Sequence, residues 1–247
     1  MSNTKLYYSK RFADAWHKYQ SQKPDVLRTE MMNEIIEKAI GDLRGKIVLE
    51  AGCGDGFFIP NLLKKHPRKV LAIDISKWLL QYAKNEIKSE IVEFKQMDLT
   101  KRLNFKTNSV DVIVSYNVLS ELENISTPLK EMARVLKPGG KIIISIVHPL
   151  YNLFVNDPET QEKSTFSKLR SYCKIENIKV STMKGFKNFI VCRKPLSVYI
   201  NEILKQGLIL EEVKEVPVNK KVVGIIKKYK KRIGIPVFAL FKCSKSK

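Results

Sequence analysis

The sequence is poor in the residues that build metal sites and disulfide frameworks. Its 247 residues contain 4 cysteines and 3 histidines, and none of them forms a paired motif such as Cys-x-x-Cys. Zinc ligands usually occur as closely spaced pairs, and disulfide frameworks are typical of shorter secreted chains. We therefore expect a protein with no metal site and no structural disulfide.

Long apolar segments are absent as well. No apolar run approaches the roughly 20 residues that a helix needs to cross a bilayer, and the N-terminal stretch MSNTKLYYSKR lacks the apolar region of a secretory signal. Hydrophobic residues make up 44% of the chain and charged residues 28%, which are ordinary values for a globular protein. We expect a cytoplasmic protein with a sizeable core and no membrane span.

Acidic residues are missing from the C-terminal part of the chain. The formal net charge is +20, and residues 220–247 contain ten Lys or Arg and no acid. A basic segment can attract nucleic acid, anionic lipid or an acidic substrate. It can equally be a solvated surface of a lysine-rich protein, because Lys is poorer than Arg at bidentate phosphate recognition. Charge alone leaves both interpretations open.

Apolar runs alternate with amphipathic segments along most of the chain. Strands are predicted at 46–51, 70–76, 91–98, 110–117, 141–147, 208–216 and 235–243. Helices are predicted at 26–40, 77–88, 126–137 and 196–207, the third with Ser126 or Thr127 as its N-cap. Strands that are apolar on both faces and alternate with helices predict a parallel sheet covered on both sides. Residues 149–195 interrupt this alternation, and an irregular segment of that length is more often functional than not.

A glycine-rich turn directly follows the first predicted strand, in the pattern Glu50-x-Gly52-x-Gly54-x-Gly56. Glycines permit tight backbone geometry and remove side chains that would block a ligand. In a parallel sheet, ligands bind beyond the carboxyl ends of the strands, where this turn must lie. A glycine turn alone is also consistent with a plain connection between a strand and a helix.

Two acidic residues end the next two predicted strands. Asp74 lies where a carboxylate can accept two hydrogen bonds from a ribose diol, although it could instead cap the following helix. Asp98, flanked by Met97 and Leu99, suits the exocyclic amine of an adenine, although it could instead be a turn residue. Glycines and two acids at three neighbouring strand ends together predict a nucleoside site.

The chain resembles class I S-adenosylmethionine-dependent methyltransferases, in the small-molecule branch that includes UbiE-like and methyltransferase-11-like enzymes. The matching stretches are VLEAGCGDG (48–56), VLAIDIS (70–76), FKQMDL (94–99), VDVIVSYNVLSEL (110–122) and LKEMARVLKPGGKIIIS (129–145). The resemblance implies a doubly wound, Rossmann-like α/β fold whose seven-stranded sheet is mostly parallel with the last strand antiparallel. It also implies S-adenosyl-L-methionine as the methyl donor, S-adenosyl-L-homocysteine as the product, and no metal.

The same resemblance implies one methyltransferase domain over residues 1–247. Its parts would be an N-terminal helical cap (1–45), a donor-binding core (46–147), an acceptor lid (148–195), and a C-terminal helix and strand pair (196–247). Glu50 would meet the methionine amino group, Asp74 the ribose hydroxyls and Asp98 the adenine amine. The other predicted donor-binding residues are Gly52, Gly54, Gly56, Ile75, Met97, Leu99 and Asn117.

The sequence says less about the residues that bind the methyl acceptor than about those that bind the donor. Methyl transfer is an in-line displacement that depends mainly on positioning, and it needs a general base only if the acceptor must lose a proton. His148, just after the fifth strand, is the candidate base, or else it orients the loop that starts at Pro149. Tyr8 is a second candidate catalytic residue. Tyr7, Tyr8, His148 and Tyr151 are the predicted acceptor-binding residues.

The predicted activity is methyl transfer to a nitrogen or oxygen, alternatively a carbon, of a small-molecule acceptor. An RNA methyltransferase that uses the basic C-terminal segment is a second hypothesis. The fourth strand is followed by SYNVLSEL and not by the Asn/Asp-Pro-Pro-Tyr motif that suits a flipped base. A non-catalytic protein that binds S-adenosylmethionine is a third hypothesis, and no oligomeric state is predicted.

Overall fold

The structure, a computed structural model, describes residues 9–22, 25–151, 172–180 and 189–247. Its strands are β1 Ile47–Ala51, β2 Lys69–Asp74, β3 Val92–Gln96, β4 Val110–Tyr116, β5 Leu136–Val147, β6 Glu176–Val180, β7 Phe189–Arg193, β8 Leu208–Pro217 and β9 Pro236–Lys245. Its helices are α1 Lys10–Gln22, α2 (a π-helical turn Arg28–Met32 followed by Asn33–Ile40), α3 Ile59–Leu63, α4 Lys77–Glu86, α5 Ser126–Val135, α6 Leu196–Lys205 and α7 Lys220–Ile225. A 3₁₀ turn covers Lys227–Arg232.

Seven strands form one sheet in the order β3-β2-β1-β4-β5-β9-β8. The pairs from β3 through β5 are parallel, and β9 runs antiparallel to both of its neighbours, β5 and β8. This arrangement confirms the predicted mostly parallel, seven-stranded sheet with an antiparallel last strand.

Both faces of the sheet are buried, which explains why its strands are continuously apolar. Successive residues of a strand point to opposite faces, and here each residue of such a pair belongs to a different hydrophobic cluster. These pairs are Val48 and Leu49, Val112 and Ile113, Ile143 and Ile144, and Leu240 and Phe241.

The loops that follow β1 to β5 lie at one edge of the sheet, where the carboxyl ends of parallel strands meet. The carbonyl of Ile73 accepts hydrogen bonds from Gly52 N–H and Cys53 N–H, at 2.8 and 2.9 Å. Met97 N–H donates to the carbonyl of Asp74 at 2.9 Å. The antiparallel strand β9 begins at this same edge, because Phe238 pairs with Val147 at the end of β5.

One local prediction is wrong. Helix α5 begins at Ser126 without a side-chain N-cap from Ser126 or Thr127, and the Asn124 side chain accepts the Ser126 N–H instead, at 2.8 Å. An Asn two residues upstream can accept that bond, so the serine is not needed as a cap. In the segment 149–195, β6 and β7 pair as a two-stranded antiparallel sheet, and β7 lies in the alternating stretch KNFIVCR (187–193). The division of the chain into cap, core, lid and C-terminal parts stays a prediction.

Within the described ranges, no helix is long and apolar enough to cross a membrane. In the same ranges, no group of His, Cys, Asp and Glu side chains could hold a metal ion.

A buried carboxylate ties α5 to the loop that follows β3. Glu131 Oε2 accepts the Leu103 N–H at 2.8 Å and a hydrogen bond from Arg134 Nη2 at 2.6 Å. The same guanidinium donates to the carbonyls of Leu103 and Phe105, both at 2.9 Å. Hydrogen bonding from Arg134 lowers the pKa of Glu131, so the carboxylate is charged in the folded protein.

We predict that Glu131→Ala destabilises the protein, because it leaves the Leu103 N–H without its acceptor and the Arg134 guanidinium without its carboxylate partner. The expected loss in the free energy of unfolding is about 2–4 kcal/mol, measured by urea denaturation. Glu34→Ala, which removes an exposed pair with Lys38, is the control and should cause no measurable loss. Equal stability of the two variants would contradict the proposed role of Glu131.

Candidate active site

The glycine turn forms a loop, residues 52–56, whose backbone is tightly constrained at one end and open in the middle. Gly52 has φ +86°, and a Cβ atom there would lie 2.3 Å from the Val118 side chain, so only glycine fits. Gly54 has φ +56°, and nothing lies within 4 Å of the position of a Cβ. Gly56 closes the loop by donating its N–H to the carbonyl of Cys53 at 2.9 Å. The loop therefore leaves its backbone accessible near Gly54.

Asp74 fixes this loop from the end of β2. Its Oδ2 accepts the Gly54 N–H at 2.9 Å, and its Oδ1 accepts the Ser76 N–H at 2.8 Å. Ser76, and not Asp74, caps helix α4, because Ser76 Oγ accepts the Leu79 N–H at 3.3 Å. Burial raises the pKa of Asp74, while the N–H groups of Ser76 and Gly54 act in the opposite direction. Each carboxylate oxygen retains acceptor capacity, which suits a ligand diol.

Glu50 is a buried carboxyl group with an unused oxygen. The residue is 2% exposed, and its Oε2 has no hydrogen-bond partner among the residues that the structure describes. Burial, together with the nearby Asp74 and Asp55, raises the pKa of Glu50 to about 8. Such a group at a loop with accessible backbone suits a ligand that brings a positive charge.

The end of β3 lies beside Asp74, and there the Asp98 side chain is partly engaged by the protein. Asp98 Oδ1 accepts both the N–H and the hydroxyl of Thr100, at 2.9 and 2.7 Å. Leu99 is buried, Met97 is partly buried, and both contact the same hydrophobic cluster. Ile75 presents its carbonyl to Gln96 Nε2 at 3.0 Å. Asp98 thus acts as a turn residue, which was the second interpretation from the sequence. A contact between its Oδ2 and the adenine amine stays a prediction.

Asn117 follows β4 with φ +59°, a left-handed conformation that Asn tolerates better than most residues. Its N–H donates to the carbonyl of Ser145 at 2.9 Å, and Ser145 Oγ donates to its Oδ1 at 3.1 Å. These bonds fix the ends of β4 and β5 next to the loop 52–56, where Val118 already contacts Gly52. The structure therefore brings Asn117 to the site through its neighbour.

His148 has both ring nitrogens engaged by the protein. The Leu150 N–H donates to Nδ1 at 3.1 Å, which assigns the proton to Nε2, and Nε2 lies 2.7 Å from Glu215 Oε1. The ring is fully buried, and burial lowers the pKa of His148 against the opposing effect of Glu215. This geometry favours the loop-orienting role of His148 over that of a general base.

Of the three predicted acceptor-binding tyrosines, Tyr151 is the one within the described ranges. Tyr7 and Tyr8 lie outside the described ranges. Tyr151 is 8% exposed and belongs to a core cluster, with the Arg232 guanidinium 5.8 Å from its ring. Burial raises the pKa of its hydroxyl. The acceptor role of Tyr151 stays a prediction, but its side chain packs against the C-terminal part of the chain.

Three residues near the loop were missed by the sequence analysis. Asp55 is 8% exposed, and burial raises its pKa against the effects of Arg28 and His17. His17 Nδ1 lies 3.7 Å from Asp55 Oδ2, which places α1 over the loop. The sequence carries no mark of this contact, because the two residues belong to distant segments.

Arg28 is the most informative of the three. Its guanidinium carbon lies 4.1 Å from the centroid of the Phe57 ring, just after the loop, and Nε donates to Asp25 Oδ2 at 3.1 Å. Its Nη2 is buried and has no hydrogen-bond partner among the described residues. A buried cationic donor without an acceptor points to an anionic group of a ligand.

Comparisons with known proteins match the segment that carries this site. The family model described as "Methyltransferase domain" matches residues 49–144, a range that contains Glu50, Asp74 and Asp98 but neither Arg28 nor His148. The chain is 28% identical over 143 residues to "Ubiquinone biosynthesis O-methyltransferase" of Coxiella burnetii, covering 58% of this chain and 60% of that protein. It is 34% identical over 123 residues to "Demethylmenaquinone methyltransferase" of Lactococcus lactis, covering 47% and 48%.

The match to solved structures extends over more of the chain. A putative S-adenosylmethionine-dependent methyltransferase from Listeria monocytogenes superposes with a TM-score of 0.72 at 22% identity, covering 87% of this chain and 96% of that one. At this identity the likeness establishes the fold alone. The chain spans about half to three fifths of the length of the two curated relatives.

We predict that His148 makes stability depend on pH. Its pKa is lowered in the folded protein below the ordinary value of ~6.5, so in that window the unfolded chain binds more protons. The contribution of His148 is therefore complete above pH ~6.5 and is lost as the pH falls towards the folded pKa. Urea unfolding of the wild type and His148→Gln between about pH 5 and 7 should show the smaller slope in the variant. His66→Asn, at an exposed position with φ +54°, is the control, and identical slopes for all three proteins would refute the assignment.

Proposed function

We propose that this chain, which resembles S-adenosylmethionine-dependent methyltransferases and carries a methyltransferase domain at residues 49–144, methylates a small-molecule acceptor. The observation that most supports this function is the unused oxygen of Glu50, buried beside a loop whose Gly54 is held by Asp74. The names of the curated relatives favour a quinone-type acceptor, with transfer to an oxygen or to a carbon.

The residues of the site fit the donor group by group. Asp74 has acceptor capacity for the ribose hydroxyls, and the open backbone at Gly54 allows close approach of the ligand. The donor, when bound, supplies a methyl group on a positively charged sulfur. The protein contributes alignment and exclusion of water, which are the main requirements of an in-line displacement.

We assign the amino-acid end of the donor to two groups that lack protein partners. Glu50 Oε2 would pair with the ammonium, and Arg28 Nη2 would pair with the carboxylate. An ammonium beside Glu50 favours the ionised carboxyl, because an opposite charge stabilises it. The two orphaned atoms are thereby explained by one zwitterion.

His148 contributes to the site by positioning. Its backbone N–H donates to the carbonyl of Val237 at 2.8 Å, while its ring connects Leu150 N–H to Glu215. These contacts set the direction in which the chain leaves β5 towards the predicted acceptor segment. An acceptor that enters as an anion needs no base at all.

We predict that calorimetry with two ligands distinguishes the residues that bind the amino-acid end of the donor from those that bind its adenosine. S-adenosylhomocysteine has the amino-acid end, and 5′-methylthioadenosine keeps the adenosine but lacks that end. Arg28→Met and Glu50→Gln should each weaken S-adenosylhomocysteine by about tenfold or more, the value of one or two charged hydrogen bonds, and leave methylthioadenosine unchanged. Asp74→Asn is the matched variant and should weaken both ligands. If Arg28→Met weakened both ligands equally, its role would be structural.

We also predict turnover. Formation of S-adenosylhomocysteine from S-adenosylmethionine should occur with a quinol or phenol acceptor and fall at least about tenfold in Asp74→Asn, but not in Asp42→Asn at the exposed surface. Parallel reactions with amines, carboxylates and bulk RNA define the acceptor class. Methylation of RNA alone would support the RNA methyltransferase hypothesis. Donor binding without any turnover would support the non-catalytic one.

A further inference from the structure

The connection between β8 and β9 forms a defined projection, residues 218–234, which we name the basic loop. Val218 and Ile233 form an isolated bridge at its base, and the Gly234 N–H donates to the carbonyl of Val218 at 3.2 Å. Between these residues lie α7 and the 3₁₀ turn, anchored by the buried side chains of Val222 and Tyr229. The basic loop is therefore an ordered element and not an open excursion of the chain.

The surface of the basic loop combines positive charge with exposed aliphatic side chains. The loop contains seven Lys or Arg and no acid. Lys220, Lys227, Lys230 and Lys231 are exposed. Ile225 is 54% exposed and Ile233 is 49% exposed. Each of these isoleucines leaves about half of its surface in water, and exposed aliphatic side chains among lysines are typical of surfaces that adsorb to membranes.

The basic loop lies at the same edge of the sheet as the candidate active site. It enters β9 beside the end of β5, where Phe238 pairs with Val147. Lys221 Nζ lies 2.7 Å from Glu30 on α2, the helix that carries Arg28. Arg232 Nη1 donates to the hydroxyl of Tyr151 at 3.4 Å. The loop therefore borders the elements that lead to the site.

We propose that the basic loop docks on the surface of an anionic phospholipid bilayer. Lysines near such a surface are attracted by its negative potential, and exposed isoleucines gain free energy by leaving water for the interface. The absence of any acidic residue from the loop makes its charge complementary to that surface. This inference does not depend on methyl transfer, and it names a partner for a part of the chain that the proposed reaction does not use.

A bilayer fits this surface better than RNA does. Binding of single-stranded RNA relies on exposed aromatic rings that stack with bases and on arginines that bind phosphates bidentately. In the basic loop, Tyr229 is 9% exposed, and Arg232 lies over the rings of Tyr151 and Tyr229 at 5.8 and 5.4 Å. The charged and the large apolar side chains that remain exposed on the loop are lysines and isoleucines.

The test is co-sedimentation of the full chain with vesicles of phosphatidylcholine containing about 30% phosphatidylglycerol, and with vesicles of phosphatidylcholine alone. The wild type should bind the anionic vesicles, lose affinity as salt is added, and bind the neutral vesicles weakly. A triple variant, Lys227→Gln, Lys230→Gln and Lys231→Gln, should lose at least about tenfold in vesicle affinity. The control triple variant Lys64→Gln, Lys84→Gln and Lys130→Gln changes the same number of exposed lysines elsewhere and should bind like the wild type.

The isoleucines provide the second arm of the test. Ile225→Ser with Ile233→Ser should reduce vesicle affinity several-fold without changing the charge. Leu204→Ser with Ile209→Ser, at positions that are each 51% exposed near the opposite edge of the sheet, should leave it unchanged. The proposal is overturned if the wild type does not bind anionic vesicles, or if the two lysine triple variants bind equally. It is also overturned if the loop isoleucine variant binds as the wild type does, or if bulk RNA binds more tightly than the vesicles.

Discussion

Three carboxyl groups surround the loop 52–56, and their burial dominates the electrostatics of the site. Burial raises the pKa of Glu50, Asp55 and Asp74 alike, because each ionised form loses water and repels its neighbours. Asp74 is compensated by two backbone N–H groups, and Asp55 by Arg28 and His17. Glu50, by contrast, has a buried oxygen without a hydrogen-bond partner among the described residues. In the proposed complex, the ammonium group of the donor would be the partner of that oxygen.

The parallel sheet keeps these carboxyl groups close together despite their mutual repulsion. Gly52 and Cys53 both donate to the carbonyl of Ile73, so the loop is held by backbone bonds to β2. The side chains that interact with Asp55 come from outside the matched methyltransferase domain. His17 belongs to α1, and Arg28 belongs to α2. The core thus supplies carboxyl groups at a fixed place, and the N-terminal helices supply a guanidinium and an imidazole that lie near them.

The sequence was sufficient wherever structure follows from neighbouring residues. Apolar runs predicted the strands because both faces of the sheet are buried, and the glycine turn was predictable because Gly52 has no space for a Cβ. Contacts between distant segments were not predictable. Arg28 looks like any residue of an amphipathic helix, and the partner of His148, Glu215, lies on another strand. The predicted N-cap of α5 failed for a local reason, because the side chain that accepts an N–H at the start of the helix is that of Asn124, upstream of both predicted residues.

The contacts of His148 also connect the C-terminal strands β8 and β9 to the edge of the sheet that holds the candidate site. His148 joins the end of β5 to Val237 on β9 through its backbone and to Glu215 on β8 through its ring. The basic loop begins immediately beyond these strands, so its base is fixed to the same edge that holds Asn117 and the loop 52–56. A surface that bound the basic loop would therefore also face Glu30 and Tyr151, which contact that loop directly. Because these connections fix the base of the basic loop to the sheet, adsorption would set the orientation of the whole carboxyl edge of the sheet and not that of the basic loop alone.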